Sequence, residues 1–249
     1  MLMAYLTQAV NMGASDIFLV PGAPVSCKRE GLLTAMAEEK LMPEDSDKLI
    51  CQIYAQAKRD MEPYRCTGDD DFSFAVPGLA RFRVNAYRQR GSLAAVIRVV
   101  AFSIPDWETL GIPRQVMELA RVHSGMVLIT GTAGCGKSTT MACLVDQINR
   151  QRACHIITLE DPIEYLHAHN KSIISQREIA IDTEDYLSAL RACLRQAPDV
   201  ILVGEMRDYE TIRVAMTAAE TGHLVIATLH TADAASTIDR IIDVFPAGQ

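Results

Sequence analysis

Eight residues, Gly131-Thr-Ala-Gly-Cys-Gly-Lys-Ser138, satisfy the pattern G-x-x-x-x-G-K-[ST] at each fixed position. Glycines at 131, 134 and 136 let the backbone take positive φ, so that successive N–H groups turn inward around a phosphate. Lys137 then reaches the β- and γ-phosphates, and the Ser138 hydroxyl is placed to hold a magnesium ion. The expected nucleotide contacts are therefore Gly131, Thr132, Ala133, Gly134, Cys135, Gly136, Lys137, Ser138 and Thr139, with ATP and Mg²⁺ as ligands. Such a loop needs a strand before it and a helix after it. Residues 127–130 are apolar and β-branched, and 139–149 put Met141, Leu144, Val145 and Ile148 on one helix face.

Hydrolysis of a bound triphosphate also needs a base, and a cation for the charge that develops. Ligands of α/β sheets sit at the carboxyl ends of the strands, so the base is sought there. Asp199-Val-Ile-Leu-Val-Gly-Glu205 places Glu205 just past an apolar strand, with Gly204 letting the backbone turn. The more usual second motif of such sites ends its strand in Asp; here Gly-Glu stands in that place. Glu205 is expected to polarise the attacking water, the plain alternative being a surface glutamate after a strand. Glu160-Asp161-Pro162-Ile163-Glu164 follows another strand. Glu160 and Asp161 are expected to hold Mg²⁺ through water, and Glu164 to belong to a capped turn. His223 and His230 bracket 224–229 and lie near opposite ends of one strand, so they cannot both touch one phosphate. His230, at the carboxyl end, is the candidate sensor of the γ-phosphate, although an isolated histidine ordinarily makes a structural hydrogen bond.

The elements that must position these groups read as two domains, 1–100 and 114–249, joined by a linker, 101–113. The first is a small α+β domain. It has helices at 4–11 and from Pro43 to about Met61, strand 16–20, a hairpin of 25–28 and 32–34 with Gly31 at its turn, and strands 71–76, 80–89 and 93–100. In the strand 80–89, Phe82, Val84 and Ala86 alternate with Arg81, Arg83 and Asn85, giving one apolar and one cationic face. The linker carries Trp107 between Pro105 and Pro113 and reads as a connector with a short helical turn. Beyond it, strands 126–130, 155–160, 199–203 and 224–228 alternate with helices 114–123, 137–150, 183–196, 209–221 and 234–244. That is the α/β pattern of a parallel-rich sheet covered on both faces.

Composition bounds the function. At 49% hydrophobic over 249 residues the chain can bury one or two cores. A net charge of −7 speaks against a general nucleic-acid binder, and none is expected as partner. No stretch reaches the roughly 18 apolar residues that span a bilayer, and the opening residues lack the pattern of a secretion signal. Seven cysteines without a C-x-x-C pair read as reduced thiols of a cytoplasmic protein. His167 and His169 read as loop residues rather than zinc ligands, so no stable metal cluster is expected.

The phosphate loop, Glu160-Asp-Pro-Ile-Glu-Tyr165, Gln176-Arg-Glu178, Leu194-Arg-Gln196, residues 198–208 and residues 218–231 together resemble the type II/IV secretion ATPases. Within that group the chain is most similar to the type IV pilus retraction ATPases of twitching motility; Gly13-Ala-Ser-Asp16 and Arg81-Phe-Arg-Val-Asn85 match too. The resemblance implies a PAS-like domain before a RecA-like P-loop NTPase domain, a homohexameric ring, and nucleotide between the domains. It implies Mg-ATP hydrolysis driving pilus retraction through an inner-membrane pilus platform protein, at the cytoplasmic face of that membrane. Arg81, Arg83 and Arg98 occupy the strands from which the family's arginines reach a phosphate, a solvated cationic face being the alternative. The resemblance also raises His230 above a structural role. Competing functions are a pilus-extension or type II secretion ATPase, and an ATP-binding accessory subunit with poor turnover. Three departures stand out. Phe18 replaces a frequent His. Cys135 replaces Ser or Thr where the loop uses backbone groups, so binding is expected to survive and thiol oxidation to block it. The chain stops at Phe245-Pro-Ala-Gly-Gln249, where family members continue into further helices, and so reads as shortened.

Overall fold

The computed structural model describes residues 1–100 and 104–245, so the first three residues of the expected linker and the tail from Pro246 lie outside the described residues. The chain divides into two compact units, Met1–Phe102 and Ser103–Gln249.

In the first unit, β1 (Asp16–Leu19), β2 (Pro24–Arg29), β3 (Leu32–Lys40), β4 (Asp69–Val76), β5 (Ala80–Gln89) and β6 (Ser92–Val100) form one antiparallel sheet, ordered β3-β2-β1-β6-β5-β4. Apolar residues of α1 (Leu2–Asn11), α2 (Pro43–Ala57) and α3 (Glu62–Thr67) join the core that the sheet lays down. The alternation in β5 settles the faces. Phe82, Val84 and Ala86 are fully buried, whereas Arg81 and Arg83 keep part of their surface. Two of the hairpins, β2-β3 and β5-β6, close on a pair of left-handed residues, Glu30-Gly31 (φ 50° and 82°) and Arg90-Gly91 (φ 49° and 80°). Two positive φ angles in succession match the twist of antiparallel strands.

Two boundaries in this unit differ from the sequence expectation by more than two residues. β3 runs to Lys40 rather than stopping near Thr34; it is a largely exposed edge strand, so no burial pattern marks its length. α2 ends at Ala57 rather than near Met61, with Lys58 in the left-handed region (φ 51°) as its cap. Tertiary contacts end it there. Arg59 donates through Nε and Nη2 to both Asp70 oxygens, at 2.9 and 2.7 Å, and Tyr54 Oη donates to Asp70 Oδ2 at 2.9 Å. A forked guanidinium–carboxylate pair of this kind has one geometry, and a continuing helix would carry Arg59 away from it.

In the second unit, β7 (Gly125–Thr130), β8 (His155–Glu160), β9 (Ile173–Glu178), β10 (Val200–Val203) and β11 (Leu224–Leu229) form a parallel sheet, ordered β7-β11-β10-β8-β9. Alternation sorts the strands' apolar residues between two cores. Ile157, Leu159, Ile201, Val203, Val225 and Ala227 pack with α6 (Tyr186–Cys193) and α7 (Tyr209–Glu220). Ile156, Val200, Leu202, Leu224 and Ile226 pack with α5 (Lys137–Gln151) and α4 (Arg114–Glu118). The terminal helix is α8 (Ala234–Val244). Ile104, Trp107 and Ile112 pack on the second of these cores. The helix expected over 114–123 is α4 followed by a 3₁₀ turn, Leu119–Arg121. The helix expected over 183–196 is α6 alone, because Asp185 rather than Thr183 caps it, its Oδ1 accepting from the Ser188 N–H at 2.7 Å. β9 was not expected as a strand at all.

Candidate nucleotide site

α6, α7 and α8 each begin on an aspartate, Asp185, Asp208 and Asp233, whose side chain accepts a backbone N–H of the first turn. α5 begins differently. Its cap is Gly136 (φ 94°), no side chain occupies its first N–H groups, and the phosphate loop leads into it. An uncapped helix start with donors turned outward attracts an anion. Gly131 (φ 148°) and Gly134 (φ 77°) are left-handed as the loop chemistry requires. A Cβ on Gly131 would also lie 2.5 Å from the Cys135 sulfur, so a side chain there would have to displace that thiol.

The carboxyl ends of β8, β10 and β11 face this loop across a cavity of about 430 Å³. Its lining includes Ala133, Gly134, Gly136, Lys137, Ser138 and Thr139 of the loop and helix start, and Glu160, Asp161, Glu205 and His230 from the strand ends. Gly131, Thr132 and Cys135 of the expected set are not part of the lining. Lys137 Nζ donates to the carbonyl oxygens of Gly131 and Thr132, at 2.9 Å each, and so braces the loop with its own charge.

Glu205 is held from both sides. The Arg207 guanidinium lies 2.6 Å from Oε1, and His230 Nε2 lies 3.5 Å from Oε2. The chain reaches this position through a narrow gap at Gly204. An added Cβ there would meet Tyr186 Oη at 2.9 Å and the Leu159 carbonyl oxygen at 3.1 Å. Gly204 is not left-handed, so close approach to the end of β8, rather than a turn, explains the glycine. The Gly204 N–H donates to Leu159 O at 2.7 Å and the Met206 N–H to Thr228 O at 3.1 Å, which fastens the Glu205 backbone between two strands. His223 sits at the other end of β11, its ring nitrogen Nδ1 2.9 Å from Ala218 O.

Glu160 has part of its surface at the cavity wall, but its carboxyl group is desolvated, which pushes its pKa above the usual carboxylate value. Thr158 Oγ1 at 2.7 Å and Gln176 Nε2 at 3.1 Å both donate to its Oε1. Tyr165 Oη lies 3.0 Å from Thr139 Oγ1, linking the 160s loop to α5 beside Ser138. Tyr165, Tyr186 and Arg207 line the cavity without having been expected as site residues, although Tyr165 and Arg207 lie in stretches that carry the resemblance. Only Arg207, two residues after Glu205, offered a chemical signal in sequence, namely a cation beside the expected base.

Arg81, Arg83 and Arg98 lie on β5 and β6 of the first unit. Register sets Arg98 between Arg83 and Asp16. Arg98 Nε donates to Asp16 Oδ1 at 3.1 Å, and Arg81 Nη2 donates to Ser73 Oγ at 2.6 Å.

His167 also lines the cavity, and its Nδ1 is buried without a hydrogen-bond partner among the described residues. Burial lowers its pKa from 6.5 to about 4, so the folded chain keeps this imidazole neutral. Above pH 6.5 the residue is neutral folded or unfolded. As the pH falls from 6.5 to about 4, the unfolded chain takes up a proton that the folded chain refuses. Stability is lost across that window, by up to about 3 kcal/mol. Denaturant unfolding of the His167→Leu variant at pH 7.5 and 4.5 is expected to show a smaller acid loss than the parent. An equal loss would remove His167 from the account.

The family model described as type II/IV secretion system protein matches residues 1–245. The type IV pilus retraction ATPase PilT of Pseudomonas aeruginosa is 46% identical over 97% of this chain, which covers 70% of that protein. The twitching motility protein of Neisseria gonorrhoeae is 48% identical over 84% of this chain, which spans 56% of that relative, little more than half its length. Among solved structures, the pilus retraction motor PilT with bound ADP superposes with a TM-score of 0.89 at 47% identity, over 99% of this chain and 72% of the other.

Proposed function

The chain belongs to the type II/IV secretion system protein family, and we propose that it is the nucleotide-hydrolysing part of a pilus retraction motor. The observation that carries this is the meeting of Lys137, Glu205, Arg207 and His230 at one cavity over an uncapped helix start. Retraction is favoured as the work done because relatives with that printed function match nearly the whole of the chain at close to half identity.

In this reading the loop N–H groups and Lys137 bind the β- and γ-phosphates, and Glu205 takes a proton from the water that attacks the γ-phosphorus. The bond to the bridging β-oxygen breaks, releasing ADP and phosphate. Arg207 and His230 aim the Glu205 carboxylate, and His230 feels the γ-phosphate through it. Arg81, Arg83 and Arg98 supply cations for the charge developing on the transferred group.

Mg²⁺ fits the donor set. Ser138, Glu160 and Asp161 offer hard oxygens on one cavity, while no group of three or more His, Cys, Asp or Glu among the described residues makes a cage of its own. That suits a cation held partly by phosphate and water. When bound, it neutralises charge on the β- and γ-phosphates. Ser138 would hold it directly, and Glu160 and Asp161 would hold it through water.

Working as a homohexamer completes the reading, with an inner-membrane platform protein as the partner and the cytoplasmic face of that membrane as the place of action. No described helix is long and apolar enough to cross a membrane. The test is ATP turnover per chain against protein concentration, with Mg²⁺. A rate per chain that rises with concentration supports a site completed between subunits. ATP binding with negligible turnover at every concentration would instead favour an accessory subunit.

A further inference from the structure

We propose that Gln176 is a positioning residue, its carboxamide fixing the Glu160 carboxylate and the turn that follows it at the wall of the nucleotide cavity. The inference rests on the part given to Glu160 in holding Mg²⁺. Gln176 stands on β9, an edge strand of the parallel sheet, directly opposite Thr158. In strands, side chains two residues apart share a face, so Thr158, Glu160 and Gln176 converge on one side of the sheet.

Both donors and the carbonyl oxygen of the carboxamide are used. Nε2 donates to Glu160 Oε1 at 3.1 Å and to the Tyr165 carbonyl oxygen at 2.9 Å, and Oε1 accepts the His167 N–H at 2.8 Å. Two donors and one acceptor at this reach define a glutamine. Glutamate would present no donor to either oxygen, leucine neither donor nor acceptor, and asparagine would fall a methylene short. The clamp thus ties the carboxylate at the end of β8 to both ends of the Tyr165–His167 stretch. Tyr165 carries the connection on to Thr139 at the start of α5, next to Ser138. Ser138 and Glu160, the proposed direct and water-mediated Mg²⁺ residues, are therefore held in one hydrogen-bonded frame whose outer member is Gln176. Loss of an outer partner of a metal-holding residue typically weakens metal binding about 10–100-fold.

The test measures affinity for a fluorescent ADP, with Mg²⁺ and in EDTA, for the parent chain, Gln176→Leu, the isosteric Gln176→Glu, Glu160→Gln and the Gln176→Leu/Glu160→Gln pair. ADP binding keeps the test independent of turnover. Expected is a rise of about 10-fold in the Mg²⁺ concentration that half-restores ADP affinity in both Gln176 variants. Affinity in EDTA stays within about two-fold, and the pair does no worse than Glu160→Gln alone, because the two act through one group. An unchanged Mg²⁺ requirement in the Gln176 variants beside a changed one in Glu160→Gln would overturn the inference alone. So would an equal loss of affinity in EDTA, which marks a collapsed loop. An unchanged requirement in Glu160→Gln would remove the reading of Glu160 on which the inference stands.

Discussion

Replacing Glu205 by glutamine will lower ATP turnover about 10²–10⁴-fold, the span that general base catalysis contributes, and leave ATP binding intact. The substitution keeps shape and removes only charge and basicity. The side chain is 12% exposed, and its oxygens lie 2.6 Å from the Arg207 guanidinium and 3.5 Å from His230 Nε2, so a carboxamide is held in the same place. Arg207 is 77% exposed, so the loss of its ion pair costs little stability in high dielectric. ATP affinity is expected to hold or rise, since one negative charge leaves the neighbourhood of the γ-phosphate. Single-turnover hydrolysis alongside a nucleotide titration separates the two effects. A variant rate within five-fold of the parent would mean that another group takes the proton.

The parts of this site legible in sequence are those carried by contiguous residues. The phosphate loop and its flanking strand and helix lie in one stretch, and the glycine spacing has a backbone reason. The apolar strands Val200–Val203 and Leu224–Leu229 were legible for the same cause, since a strand buried on both faces leaves an uninterrupted run. β9 was not. Ile173 and Ser175 keep surface while Ile174 is buried, and Ser-Gln-Arg then removes any continuing apolar signal. Only pairing with β8 makes it a strand. Tyr165 and Tyr186, which line the cavity, and Gln176, which donates to Glu160 at its wall, share that difficulty, because a strand order that runs against chain order brings their elements together. Gly204 was legible as special but for another reason than the structure gives: an approach to the Leu159 carbonyl cannot be read from its neighbours in sequence. The end of α2 at Ala57 shows tertiary contact overriding propensity, the Arg59–Asp70 pair arresting a helix whose residues could continue.

Lys137→Ala will weaken ATP binding roughly 30–1,000-fold, from the roughly 2–4 kcal/mol that a charge-assisted contact to a desolvated anion is worth. Two roles of the ammonium have to be told apart. In the structure Nζ donates to the Gly131 and Thr132 carbonyl oxygens, at 2.9 Å each, so its removal also unbraces the loop. Those carbonyls belong to residues with partly or fully exposed surface, and water replaces the lost donor at small cost. The phosphate role has no such substitute, because no other side chain of the loop carries a positive charge. The loss should therefore grow with phosphate number, largest for ATP, smaller for ADP and near zero for AMP, as judged by competition against a fluorescent nucleotide. Lys137→Arg retains charge but carries a planar fork in place of a compact ammonium, and is expected to recover only part of the affinity. An equal loss for AMP and ATP would assign the lysine to bracing the loop. The steep dependence on phosphate number is the result that ties this residue to the γ-phosphate, and with it to the bond that Glu205 is proposed to break.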